Sequence, residues 1–182
     1  MFSGLALRLT LAATLTAWGS LPGVMTDSVS FHVAQVDQFA GRYVLLRDPS
    51  EDLKQAINRA TSTVSFVRRA MVRWQLRQRA VAYSSFVMGR AGESLRTILA
   101  DKGSLSLPLS GSPVLWKAPF GEIVRAHLQL GPELVEIFEA KRGRCESHFQ
   151  LSPDRRVLVV EIRMISEELP EPVEYRLVYR RA

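Results

Sequence analysis

Much of this chain beyond residue 120 is written in period two. Val124, Ala126, Leu128 and Leu130 fall on one side of an extended backbone, with Arg125, His127 and Gln129 on the other. Leu158, Val160, Ile162 and Met164 repeat the pattern opposite Glu161 and Arg163, and Val173, Tyr175, Leu177 and Tyr179 repeat it opposite Glu174, Arg176 and Arg180. Successive side chains of a strand leave on opposite faces, so each run reads as a half-buried strand. Turn signals recur every ten to twelve residues: Asp101-Lys102-Gly103, Ser110-Gly111-Ser112-Pro113, Ala118-Pro119-Phe120-Gly121, Gly131-Pro132, Lys141-Arg142-Gly143, Ser152-Pro153-Asp154 and Leu169-Pro170-Glu171-Pro172. With a first short strand in Phe39–Leu46, the spacing predicts a mainly β fold of eight to nine strands. A meander of that size forms an antiparallel sheet that is strongly coiled or closed, at least partly, into a barrel.

One segment breaks this rhythm. Leu53, Ile57, Ala60, Val64, Val67, Met71 and Trp74 are spaced 4, 3, 4, 3, 4, 3, which predicts one long amphipathic helix from about Ser50 to Arg79. Asp48 or Ser50 is placed to cap it, and Glu51 and Asp52 suit the positive end of its dipole. The apolar stripe is expected to pack on the sheet. Arg69, Arg73 and Arg77 recur at i, i+4 and i+8 on the opposite face.

Residues 1–19 read as a secretory signal. Arg8 precedes the apolar run Leu9–Trp18, and the small residues Ala17 and Gly19 suit cleavage after Gly19. The run is about half of the roughly 20 residues a spanning helix needs. This divides the chain into a signal at 1–19, a tail at 20–37 and a domain at 38–182, with a periplasmic or secreted destination. The single cysteine, Cys145, excludes an intramolecular disulfide and stands far from any lipid-attachment position near the cleavage site.

The formal charge of +6 is unevenly placed. Between Leu53 and Gly121 eleven Lys or Arg face only Glu93 and Asp101, a net of +9, whereas from Glu122 onward ten bases face eleven acids. A basic middle suits an anionic partner, and export favours anionic lipid over nucleic acid. Arg69, Arg73 and Arg77 are the candidate lipid-facing residues.

Four segments carry a resemblance. Phe39-Ala40-Gly41-Arg42-Tyr43, Arg68-Arg69-Ala70, Ser152-Pro153-Asp154 and Tyr175-Arg176-Leu177-Val178-Tyr179-Arg180-Arg181 are similar to a group of exported bacterial proteins that look lipocalin-like, of the calycin type. The resemblance spans roughly Phe39 to Arg181. Lipocalins open with Gly-x-Trp, and Gly41-Arg42-Tyr43 puts Tyr at the Trp position. It implies that Tyr43 lies near the last strand with Arg176 or Arg180 stacked on its ring. A ligand-holding barrel and an interior filled by side chains are both compatible with it.

No catalytic constellation emerges. His32, His127 and His148 have no His-x-x-x-His or Glu-x-x-His spacing, and Cys-x-x-Cys is absent, so neither a metal nor another cofactor is called for. Ser84-Ser85 and Ser110-Gly111-Ser112 lack the strand–turn–helix setting of a nucleophile elbow. Gly89-Arg90-Ala91-Gly92 lacks the Lys of a phosphate loop and reads as a helix-to-strand connection. The expected function is non-enzymatic binding of an apolar or amphiphilic small molecule, with Trp116, Phe138 and Tyr175 as lining and Arg125 and His127 at a mouth. The alternative is docking on anionic lipid or a partner protein through the basic helix.

Overall fold

The computed structural model describes residues 33–80, 82–100, 103–119 and 121–182. The export signal expected at 1–19 and most of the tail lie outside the described residues. Ten strands form one antiparallel sheet: β1 (Gly41–Leu45), β2 (Ser85–Ala91), β3 (Ser94–Leu99), β4 (Gly103–Pro108), β5 (Val114–Lys117), β6 (Ile123–Leu130), β7 (Leu134–Ala140), β8 (Gly143–Leu151), β9 (Val157–Ser166) and β10 (Val173–Arg181). Two helices, α1 (Ser50–Ala60) and α2 (Phe66–Arg79), lie between β1 and β2.

Every strand pairs with its chain neighbour except at one place, between β4 and β5. The order is β4-β3-β2-β1-β10-β9-β8-β7-β6-β5, so β1 pairs with β10 while β4 and β5 are left as edges. The sheet therefore curls into a nearly closed barrel with its seam between β4 and β5. Gly111 crosses that seam at φ 76°, and a Cβ there would stand 3.0 Å from the Leu128 carbonyl oxygen, so the close approach needs glycine.

The period-two runs take the faces their polarity dictates. Leu95, Leu107, Leu128, Leu134 and Leu158 are fully buried inside. Arg42, Arg96, Arg125, Glu161, Arg163 and Arg176 occupy the outer phase. The interior is apolar, and the exterior mixes these charges with exposed Val87, Ile98, Leu115 and Ile123. Residues 33–37 form a short helical segment, with Val36 fully buried, Gln35 Nε2 donating to the Gly131 carbonyl at 2.8 Å and Asp37 paired to Arg90 at 2.8 Å. With Phe39 it closes one end of the barrel, so the packed domain includes residues that the sequence reading assigned to the tail.

Two expectations are corrected. The strand count is ten because Ser85–Ala91, read as a connection around Gly89 and Gly92, is β2, with Phe86 and Met88 inward and Gly92 at φ 61° making the turn into β3. The single long helix is two. Thr61-Ser62-Thr63-Val64-Ser65 interposes β-branched and hydroxyl residues that compete with helical hydrogen bonding. Thr61 Oγ1 donates back to the Ile57 carbonyl at 2.7 Å and ends α1.

The interruption shifts the phase of everything after it. Ala56, Ile57 and Ala60 of α1 are buried, and α1 packs against β10. In α2 the buried residues are Val72 and Leu76, while Val67 and Met71 of the expected core stripe are 89% and 64% exposed, and Trp74 is also exposed. Arg69 and Arg73 turn back on the break instead of presenting a lipid-facing stripe. Arg69 donates to the Ser62 carbonyl at 2.8 Å and the Val64 carbonyl at 2.9 Å, and Arg73 Nε donates to Thr61 Oγ1 at 2.9 Å. The Arg69 bonds satisfy carbonyls of the break between the helices, and the Arg73 bond is accepted by the Thr61 hydroxyl. Arg77 remains exposed.

Candidate ligand cavity under α2

The barrel is filled at one end and open at the other. Below, Leu95, Leu107, Leu128 and Leu134 pack into an apolar plug. Above it lies a cavity of about 230 Å³, roofed by Val72 and Leu76 of α2. Its walls are apolar and drawn from most of the barrel, including Phe86, Leu105, Trp116, Val160 and Leu177. The Trp116 and Phe138 rings meet at 5.5 Å between centroids.

Strand phase decides which expected residues reach this space. Trp116, Phe138 and Tyr175 line it. Arg125 and His127 do not. They stand on the outer face of β6, because Val124, Ala126 and Leu128 hold the inward phase and alternation sends their neighbours outward.

The polar groups at the cavity floor were not singled out in the sequence. Glu136 sits on the inward phase of β7 between Leu134 and Phe138 and is 6% exposed. Thr97 of β3 faces it across the barrel and donates from Oγ1 to Glu136 Oε1 at 3.3 Å. Ser147 is the cross-strand partner of Glu136 on β8 and is also buried. The visible signal was an acid on an apolar phase, where a strand running Leu-x-Glu-x-Phe ordinarily carries a hydrocarbon.

Burial dominates the electrostatics here. It pushes the Glu136 carboxyl from 4.5 up to about 7, although the Thr97 hydrogen bond pulls the other way. Burial, then the charges of Glu146 and Glu136, push the Cys145 thiol up to about 12. A thiol held neutral is a poor nucleophile, so Cys145 acts as wall. Burial likewise pushes Tyr83 up to about 12 and raises Tyr175 and Tyr179, with Tyr179 also bonded to the Tyr83 backbone. Between pH 5 and 9, Glu136 is therefore the group of the cavity interior that titrates.

The charged residues of the mouth are already engaged. Arg79 at the end of α2 pairs with Glu122 before β6 at 3.3 Å, Arg144 contacts Glu146, and Glu168 pairs with Arg142 at 2.8 Å. Among the described residues no group of three His, Cys, Asp or Glu side chains stands close enough to hold a metal ion.

No protein-family profile matches the chain, and no curated protein sequence is similar to it. Solved structures are similar in fold. Fatty-acid-binding protein 1 of Echinococcus granulosus superposes with a TM-score of 0.53 at 12% identity, covering 80% of this chain and 98% of that one. A secretory abundant heat soluble protein of Ramazzottius varieornatus gives 0.52 at 6% identity, covering 80% and 96%. The Schistosoma mansoni fatty-acid-binding protein, solved in complex with arachidonic acid, gives 0.50 at 12% identity, covering 81% and 98%. The shared feature is the fold, a nearly closed antiparallel barrel.

Proposed function

We propose that this chain is a non-enzymatic carrier of an apolar or amphiphilic small molecule, held in the barrel cavity beneath α2. The observation that carries the reading is the cavity itself: an apolar chamber with a few buried polar groups at its floor and a helix across its mouth. Binding sites for small molecules have this composition. The likeness in fold to proteins named for fatty-acid binding, one of them solved with arachidonic acid, supports the same reading. The test is titration of the folded chain with Nile red, an uncharged dye that brightens in apolar surroundings. One saturable site is expected, weakened by Met164→Trp, which adds bulk to the lining while the circular dichroism stays that of the wild type. Absence of saturable binding overturns the reading.

A second reading concerns α2. Phe66, Val67, Met71 and Trp74 are exposed on one helix, and Arg68 and Arg77 beside them are exposed as well. An amphipathic helix of this kind lies in a lipid interface with its bases toward anionic head groups, each contributing about 1 kcal/mol near the surface. Docking there would bring the cavity mouth to the membrane. Co-sedimentation with phosphatidylserine vesicles checks it. Binding should fall with salt and with Trp74→Ser, and equal pelleting of variant and wild type removes the reading.

Residues 1–19 fit a cleaved export signal, which would put the carrier in the periplasm or outside the cell. Amino-terminal sequencing of chain recovered from the periplasm of a bacterial host should begin at Ser20. Recovery only of uncleaved cytoplasmic chain argues against export.

A further inference from the structure

We infer that the cavity selects amphiphiles whose polar end donates hydrogen bonds, a primary amine above all and an alcohol next, and rejects free carboxylates. The inference rests on the carrier reading and adds the chemistry of the head group. It starts from the deep end of the cavity, where the polar groups are Glu136, Thr97 and Ser147. Glu136 is an acceptor when ionised, and its Oε1 already takes the Thr97 hydroxyl. A ligand head reaching this floor meets an acid and two hydroxyls, with no cation.

The cations of the lining are Arg79 and Arg144. Both are partly exposed at the mouth and paired, Arg79 with Glu122 and Arg144 with Glu146. A carboxylate driven to the floor would bring a second negative charge into an enclosed apolar space beside Glu136. An uncompensated buried charge is strongly unfavourable. Turned about, with its head at the mouth, it would compete with Glu122 and Glu146 for arginines that they hold. An alkylammonium instead supplies the positive charge and the N–H donors the floor lacks, and an alcohol supplies one donor without the charge.

The same geometry fixes the pH dependence. The groups that face or couple to Glu136 are Thr97 on β3, Cys145 and Ser147 on β8 and Tyr83 ahead of β2; Tyr175 on β10 shares the lining, and Arg79, Glu122, Arg144 and Glu168 stand at the mouth. Of the interior members, Glu136 alone titrates between pH 6 and 8, since burial holds the thiol and the phenols protonated. An alkylamine, itself charged throughout that range, binds the ionised form and therefore tightens as pH rises from 6 to 8. An alkyl carboxylate weakens over the same interval.

Competition against Nile red on the folded chain decides the matter, using dodecylamine, dodecanol and dodecanoate below their aggregation limits at pH 6 and pH 8. Dodecylamine is expected to displace the dye at least about tenfold more effectively than dodecanoate at pH 8, and the ratio should shrink at pH 6. Glu136→Gln keeps the shape of the floor and should abolish both the preference and its pH dependence, each amphiphile being compared against the Nile red affinity measured for the variant itself. Thr97→Val provides a second variant that leaves the acid in place, and it should retain the amine preference. Dodecanoate displacing as well as dodecylamine, or a preference unchanged in Glu136→Gln, overturns the inference and leaves the carrier reading standing. No saturable Nile red binding overturns both.

Discussion

Arg181 lies across the ring of Tyr43, its guanidinium carbon 5.5 Å from the ring centroid, and its Nη2 donates to the Tyr43 hydroxyl at 3.0 Å. The two residues are register partners where β1 meets β10, the pairing that joins the ends of the meander. Nη2 also donates to the carbonyls of Gln38 and Ala40, and the Tyr43 hydroxyl donates to the Phe39 carbonyl at 2.8 Å. One guanidinium thus fastens the closing strand to the segment that seals the barrel end. The lipocalin-like resemblance placed an arginine on this ring but pointed to Arg176 or Arg180. Both are on the outward phase of β10, opposite Leu177 and Tyr179, and the inward phase reaches the ring at Arg181.

This clamp has a glycine requirement that can be measured. A Cβ at Gly41 would stand 2.8 Å from Arg181 Nε and 3.3 Å from its Cγ, and the side chain is held by three hydrogen bonds and cannot simply swing away. Arg181→Ala is expected to lower unfolding stability by about 1–3 kcal/mol, the range for lost charge-assisted hydrogen bonds in a partly buried site. Gly41→Ala should cost a similar amount by displacing the same guanidinium. In urea denaturation the double variant should lose clearly less than the two single losses combined, because both act on one contact. Additive losses would mean that Gly41 serves something else.

The interruption between the helices reverses one consequence of the sequence reading. A continuous helix would have buried Met71, and Met71→Asp would then be ruinous. With Met71 on the solvent side of α2, that variant should change the melting temperature by no more than about 2 °C, as exposed substitutions ordinarily do. Ile57→Asp, at a fully buried position of α1, should be severe, because it places an unpaired acid in the core. Thermal melts of the two variants give the contrast directly.

The same segment shows why part of the fold was legible and part was not. Alternation is a local property, and the long runs in β6, β9 and β10 announced both their strands and their inward faces. The 4-3 spacing from Leu53 to Trp74 was equally regular, yet it ran straight through Thr61–Ser65, where hydroxyl and β-branched side chains end α1. A stripe carried across such a break keeps its spacing and loses its meaning. β2 was obscured for a related reason: its inward pair Phe86 and Met88 is short, and Gly89 within it and Gly92 just after it have the composition of a connection. Trp116, Phe138 and Tyr175 could be placed on inward phases, whereas the partner of Glu136 could not. Thr97 is 39 residues away and meets it only because β3 and β7 face each other across the barrel.

Glu136 also sets the pH dependence of stability. Its folded value near 7 lies above its ordinary 4.5, so the folded chain holds a proton that the unfolded chain releases between those values. Stability from this group is intact below about pH 4.5, falls as pH rises toward 7 and is flat beyond. The loss is on the order of 3 kcal/mol at most. Glu136→Gln, neutral at every pH, should remove this decline and be more stable than wild type at pH 8. Urea midpoints at pH 5 and pH 8 give the comparison, and parallel shifts in both proteins would show that Glu136 does not cause the decline.

The last expectation concerns access to the cavity. Arg79 ends α2 and Glu122 precedes β6, so their 3.3 Å ion pair bridges the helix roof and the β5–β6 turn at the cavity mouth. Both side chains are partly exposed, and exposed pairs contribute roughly 0–1 kcal/mol, too little to govern folding. A contact of that strength can still slow the parting of two elements by about fivefold, since 1 kcal/mol is close to a factor of five in rate. If ligands pass between α2 and this turn, breaking the pair stabilises the open mouth for entering and leaving molecules alike. Arg79→Gln and Glu122→Gln should then raise the association and dissociation rates of Nile red together, by about two- to fivefold, while Kd moves little. Stopped-flow fluorescence resolves the two rates. A change confined to dissociation would assign the pair to holding the ligand, and unchanged rates would place the route through the unpaired seam between β4 and β5.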